Sequence, residues 1–176
     1  MPRILKSIPT VYKGIRFRSR LEARWAVFLD VTGIGWEYEP THLIVEYEGD
    51  RLDWLPDFRL ADGRWAEVKG ALPGGEFYRL MNLAWAVPED VVVLGHLPES
   101  SSLNWPFQLH RHGDVMWAVP WRRDGDSPAF FGLVPVPGVH HSDMTADLLL
   151  SGYPGAQPEW AEPGLSYARQ ARFPWD

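Results

Sequence analysis

The stretch LPDFRLADGRWAEVKG, residues 55–70, constrains the fold more than any other part of the chain. Ala61-Asp62-Gly63 is a turn signal, so a strand over Arg51–Leu60 is predicted to reverse into a second strand over Arg64–Lys69. Pro56 cannot donate to a ladder and marks an edge, a bulge or a strand end. On the second strand Glu67 and Lys69 are two residues apart, so they share one face about 6.6 Å from each other while Val68 faces the opposite, buried side. Asp57 lies across the turn. If the register allows, Asp57, Glu67 and Lys69 meet at one spot. The plain alternative is a surface hairpin with an ordinary salt bridge, which is worth little.

The neighbouring elements decide how much weight that spot bears. Val11–Arg18 alternates loosely around Gly14 and reads as a short strand or a hairpin. Ser19-Arg20-Leu21-Glu22 is a capping box, in which Ser19 takes an orphan N–H and Glu22 reaches back to the Ser19 N–H. Leu21, Trp25, Phe28 and Leu29 follow at helical spacing, and Gly33 suits the position just past the helix end. Trp36–Pro40 is extended, Leu43–Tyr47 alternates as a strand, and Glu48-Gly49-Asp50 is a hairpin turn. Gly70–Gly75 is a flexible loop and Glu76–Val87 a helix ended by Pro88. Val91–Leu94 is a continuous apolar run, the mark of a strand buried on both faces, and a parallel pairing with a neighbour is predicted. The helix before it supplies the crossover that a parallel pairing needs.

Charge is unevenly spread. The 176 residues carry a net charge of −6. Residues 1–24 hold seven Arg and Lys against Glu22 alone, an excess of six, which leaves −12 on the remainder. A local basic patch beside an acidic site suits phosphate handling, although a solvated basic arm would look the same. Arg20 and Arg24 are one helical turn apart and can share a face. With no Cys, thiolate metal sites and Cys nucleophiles are excluded. No apolar run is long enough for a membrane span, and the first residues have no apolar core of a signal peptide.

Asp57 and Glu67 can share one hard cation through oxygen ligands, with the Val68 carbonyl as a further donor, as Mg²⁺ sites do. Lys69 can then orient a water and offset charge on a phosphate. Burial and a nearby cation are expected to lower its pKa. Pro-Asp followed by Glu-Val-Lys, after a helix carrying Glu22 and in an α-β-β-β-α-β order, resembles the PD-(D/E)XK nuclease superfamily, whose members include restriction enzymes, phage junction resolvases and transposase endonuclease subunits. The strings FRSRLEARWAVFLD, WEYEP, PDF and EVKG are similar to the small phage-type and transposase-type members. The resemblance covers roughly residues 11 to 95, about half the chain.

The resemblance implies an α/β fold with a restriction-endonuclease-like αβββαβ core, a mixed central sheet, and catalytic residues Glu22, Asp57, Glu67 and Lys69. Asp57, Glu67, the Val68 carbonyl and Glu22 would be the ligands of Mg²⁺, for which Mn²⁺ can substitute. Glu22 also serves the capping box, and the sequence permits either use. The implied activity is DNA endonuclease, with DNA contacted by Lys13, Arg16, Arg18, Arg20 and Arg24. A homodimer is permitted, and a cytoplasmic location in a bacterial or phage-infected cell is expected. A catalytically silent module that binds DNA or a protein, or a nuclease of RNA or broad specificity, would share the same motif.

Residues 1–97 read as the core and 98–176 as an aromatic- and Pro-rich C-terminal extension packed on it. A hairpin is predicted around His112-Gly113-Asp114, with short helices at Ser142–Leu150 and Gly164–Phe173. His110, His112, His140, His141 and Asp143 match no standard metal spacing, and the Trp-rich extension reads as packing rather than as a base-stacking surface.

Overall fold

The computed structural model describes residues 7–98, 106–113, 115–123, 134–135 and 159–173. Lys13 and Gly14 both take positive φ, 50° and 78°, a turn whose twist matches paired strands. They close a hairpin of β1, Thr10–Tyr12, and β2, Ile15–Phe17. Ser19 then caps α1, Arg20–Val31, its hydroxyl accepting the Glu22 N–H at 3.1 Å. The return bond of the capping box is shifted by one residue: Glu22 accepts from the Arg18 N–H at 3.0 Å. Gly33, at φ 70°, takes the left-handed position past the helix.

Beyond α1 the chain enters a mixed sheet. Its strands are β3, Trp36–Tyr38; β6, Phe58–Leu60; β7, Trp65–Val68; β8, Val91–Leu94; β9, Phe107–His112; β10, Val115–Pro120; and β11, Val134–Pro135. Among the described residues their spatial order is β11-β10-β9-β8-β7-β6-β3. Only β7 and β8 run parallel; the other pairs are antiparallel. The crossover between the parallel strands is α2, Gly74–Ala86, which begins two residues before its expected start and ends ahead of Pro88. A third helix among the described residues, α3, spans Glu162–Gln170 behind a 3-10 turn at Glu159–Ala161. No helix there is long and apolar enough to cross a membrane. The predicted helix at Ser142–Leu150 lies outside the described residues.

The chain departs from the expected strand count between α1 and α2. Five strands lie there, not three. The predicted single strand over Arg51–Leu60 is two: β5, Asp50–Trp54, pairs with β4, Leu43–Tyr47, in a separate hairpin, and β6 belongs to the main sheet. The break falls at Leu55-Pro56-Asp57, where the proline has no N–H to continue a ladder. The corner has a consequence for the site, because it carries Asp57.

Side chains fill both faces of the sheet. Val91 and Val93 of β8 join the α2 side with Trp54, Phe77, Leu80 and Met81. Val92 and Leu94 join the α1 and α3 side with Trp25, Phe28, Trp121 and Leu165. A strand buried on both faces therefore reads as an unbroken apolar run. Strands β9 and β10 contribute Phe107, Leu109, Met116 and Ala118 to the α2 side; β9 pairs directly onto β8 and β10 onto β9. Their attachment is also polar: buried Arg64 donates to Gln108 at 2.7 Å, Gln108 donates to Asp90 at 3.0 Å, and His110 Nδ1 lies 3.0 Å from Asp90.

Helices α1 and α3 approach closely at Gly164. A Cβ there would lie 2.6 Å from Thr32 Cγ2 and 2.8 Å from Phe28 Cδ2, both shorter than real contacts. Gly164→Val is expected to destabilise the protein by about 2 kcal/mol or more, in the range of overpacked cores. Denaturant unfolding of this variant checks it. Unchanged stability would show that the two helices do not pack this closely.

Candidate functional site

The corner at Pro56-Asp57 and the end of β7 form one side of an open cleft of about 410 Å³. It lies at the C-terminal end of the parallel strands, where Lys69 N–H donates to Leu94 O at 2.8 Å. Asp57 is 3% exposed and Glu67 6%, yet both line the cleft, together with Glu22, Val68 and Lys69. The β7 register explains the grouping: Trp65 and Glu67 alternate with Ala66 and Val68, so Glu67 faces the α2 side and Val68 packs toward α1.

Each carboxylate is held by the protein. Asp57 Oδ2 accepts the Val68 N–H at 2.7 Å, and Oδ1 lies 2.7 Å from Arg18 Nη2. Glu67 Oε1 is 3.0 Å from Lys69 Nζ, and Oε2 accepts the Trp54 indole N–H at 3.0 Å. Glu22 Oε1 accepts from the Ser19 hydroxyl at 2.6 Å, and Oε2 accepts the Tyr38 hydroxyl at 2.6 Å besides the Arg18 N–H. The capping role of Glu22 is thus present, and Tyr38 secures it. Among the described residues no three Asp, Glu or His groups gather tightly enough to hold one ion by themselves. Any ion at Asp57 and Glu67 would need backbone or water oxygens as well.

The electrostatics are those of crowded carboxylates. Burial pushes the Asp57 carboxyl up to about 7, and the adjacent charges of Glu67 and Glu22 act in the same direction; the Val68 N–H and Arg18 oppose them and lose. Lys69 behaves oppositely to expectation. Burial acts to lower its pKa, but Glu67, Glu76 and Asp57 outweigh burial and hold it above the ordinary lysine value. The physical reason is charge: its neighbours are carboxylates, with Glu76 of α2 at 3.6 Å. Tyr38 is likewise raised, by burial and then by Glu22.

The basic residues expected to act together are dispersed. Arg18 lines the cleft, bridging Asp57 and Glu39. Lys13, in the hairpin turn, pairs with Asp30 at 2.8 Å. Arg16 is exposed on β2. Arg20 and Arg24 line a different cleft, against α3. Of the histidines, His110 sits with Asp90 at the far end of the sheet; His140, His141 and Asp143 lie outside the described residues, and nothing is described of the His112 side chain.

Sequence reasoning missed Tyr38, Glu39, Trp54, Glu76 and Arg79. Tyr38 is two residues from Trp36 on a strand, so alternation could have placed both rings on one face, but its bond to Glu22 is tertiary. Glu39 takes φ 42° ahead of Pro40, a left-handed conformation that is uncommon outside Gly and is found at functional sites. Its N–H donates to Asp57 O at 2.9 Å, so it braces the Asp57 corner. Arg79 of α2 reaches the same cleft and donates to Asp53 O at 2.6 Å.

Compared with known proteins, the chain matches no family model, no curated protein and no solved structure.

Asp57 ties the site to stability. Its native pKa of about 7 lies above the unfolded value near 3.8. The native state therefore binds the extra proton, and the stability this group gives falls as pH rises from about 4 to about 7. Asp57→Asn should be more stable than the parent at pH 8, by on the order of 1–3 kcal/mol, and the gain should vanish near pH 4. Thermal unfolding at the two pH values reads this. A variant less stable at pH 8 than at pH 4, relative to the parent, would mean that the Arg18 pair outweighs the crowding.

Proposed function

We propose that the chain is a metal-dependent nuclease acting on DNA, built on a restriction-endonuclease-like core of α1, the strands through β7, α2 and β8. The observation that carries this reading is the pair of buried carboxylates, Asp57 and Glu67, opening into one cleft with Lys69 ion-paired at 3.0 Å. A structural ion pair has no need of a second buried carboxylate beside one that burial, with that neighbour's charge, pushes up to about 7. A divalent cation answers that crowding, and Arg18 stands in for one at Asp57. Asp57, Glu67 and the Val68 carbonyl are the groups that would hold Mg²⁺ or Mn²⁺. Glu22, fixed by Ser19 and Tyr38, completes the surrounding shell.

When bound, the ion supplies Lewis-acid polarisation of the phosphate and a water of lowered pKa. The protein's own groups do the rest. Trp54 fixes the rotamer of Glu67 through its indole N–H. Lys69, kept protonated by its neighbours, acts as a donor: it orients the attacking water and offsets negative charge on the phosphate during in-line displacement. With an ion held at Asp57, Arg18 would be free to offer its planar fork to a phosphate oxygen.

A second reading has its own observation. The carboxylate oxygens of Glu22, Asp57 and Glu67 already have protein partners, as they would in a nuclease-like module that binds DNA or a protein without cutting.

One panel separates the two. Duplex, single-stranded, flapped and four-way DNA, with RNA alongside, are incubated with Mg²⁺ or Mn²⁺. Cleavage of at least one DNA is expected, and Lys69→Ala should reduce it about a hundredfold or more. Mn²⁺ should raise the unfolding temperature of the parent but not of Asp57→Asn. DNA left uncut throughout, with no Mn²⁺ stabilisation, would reject the nuclease reading in favour of the silent module. Cleavage unaffected by Lys69→Ala would reject the assigned mechanism.

A further inference from the structure

Three cations and three carboxylates line the cleft at Asp57: Arg18, Lys69 and Arg79 against Glu22, Asp57 and Glu67. Two of the cations are committed to carboxylates. Arg18 bridges Asp57 and Glu39, and Lys69 lies between Glu67 and Glu76. Arg79 is different. It is exposed on α2 and forms no ion pair among the described residues. Its Nη2 donates instead to a neutral acceptor, the Asp53 carbonyl, at 2.6 Å.

Two elements fix the place of Arg79. On α2 it is three residues past Glu76, so both side chains rise from the same side of the helix. From that side Glu76 reaches Lys69, while Phe77, Leu80 and Met81 face the core. The Asp53 carbonyl immediately precedes Trp54, whose indole N–H holds Glu67. Arg18 precedes α1, which packs on the other face of the sheet. The two arginines therefore approach the buried carboxylates from opposite faces. One carbonyl takes up only part of a guanidinium fork, whose planar shape matches a phosphate. With a divalent ion held by Asp57 and Glu67, the balanced lining turns net positive and attracts phosphodiester groups. The scissile phosphate meets the ion and Lys69. The surplus charge at Arg79 suits a second phosphate of the same strand.

We infer that Arg79 is a substrate-gripping residue, which takes the phosphate next to the scissile one on the α2 side of the cleft. This rests on the nuclease reading of the carboxylate cleft and adds a direction to it: the cut strand passes from the α1 wall, over Asp57 and Glu67, to the α2 wall. One prong of the fork can stay on the Asp53 carbonyl while the other meets the phosphate, so the existing bond preorganises the grip. Arg79 touches no reacting atom. It holds the strand equally before and during bond breaking, which adds affinity without speeding the chemical step. As a contact to phosphate it positions DNA without reading its sequence.

The test measures binding of a fluorescent DNA duplex to the full chain by anisotropy across a salt series, in Mn²⁺ and on a Lys69→Ala background that slows cutting. Arg79→Gln should weaken binding several-fold and lower the slope of log affinity against log salt by about 1. Arg79→Lys, which keeps the charge, should restore the slope. In the cutting assay with Lys69 intact, Arg79→Gln should raise KM several-fold and leave kcat nearly unchanged, as loss of uniform binding does. A mere latch between α2 and the β4–β5 hairpin reads differently: Arg79→Gln would lower the unfolding temperature and leave the salt slope where it was. That result would overturn the inference. So would cutting with a KM indifferent to Arg79→Gln, an outcome that leaves the nuclease reading intact. DNA binding that depends on Arg79, by a chain that cuts nothing, would sink the nuclease reading and leave this one standing. A parent chain that binds no DNA would sink both.

Discussion

The hydrogen bond from the Val68 N–H to Asp57 Oδ2, at 2.7 Å, is the contact on which the rest of the site depends. It spans the corner at Pro56 and the end of β7, two places the backbone reaches by different routes. Without it the corner could point Asp57 to solvent, where its charge would be harmless. With it, Asp57 is buried beside Glu67, and burial acts against the ionised form of Asp57. The surrounding partners follow from that. Arg18 answers one oxygen of Asp57, Lys69 and Trp54 answer Glu67, and Tyr38 with Ser19 holds Glu22. A network of this kind is unfavourable for stability unless fully satisfied, and its most buried member remains strained toward protonation. Such a compromise is expected at a functional site.

Much of the fold was legible because it follows local rules. The capping signal at Ser19, the glycine at position 33, the turn at Asp62-Gly63 and the doubly buried run Val91–Leu94 each express a constraint contained within a few residues. The split of the predicted Arg51–Leu60 strand was not legible in full. Pro56 marks an interruption, but nothing local says that the two halves join different sheets, since that depends on β4 claiming β5 and on β3 claiming β6. The candidate site shows the same division. Glu67 and Lys69 follow from strand alternation and Asp57 from the turn. Trp54, Tyr38 and Glu39 enter through tertiary contacts that leave no periodic trace.

The basic residues give the clearest lesson about periodicity. Counting charge along residues 1–24 suggests one patch, whereas the helical repeat divides it. Arg18 precedes the cap and turns toward Asp57, while Arg20 and Arg24 fall on the far face of α1 from Glu22. Helical spacing alone indicates that separation. What covers the far face does not follow from spacing, because α3 is more than a hundred residues away along the chain and docks through the absence of a side chain at Gly164.

The central claim is that Asp57 and Glu67 form a divalent-cation site now balanced by Arg18. It is tested most directly by crystals soaked in Mn²⁺ and measured for anomalous scattering. The expected result is one manganese peak in coordination contact with an oxygen of Asp57 and an oxygen of Glu67, and with the Arg18 guanidinium moved off Asp57. A map with no peak between those carboxylates, and Arg18 still paired with Asp57 at saturating Mn²⁺, would contradict it.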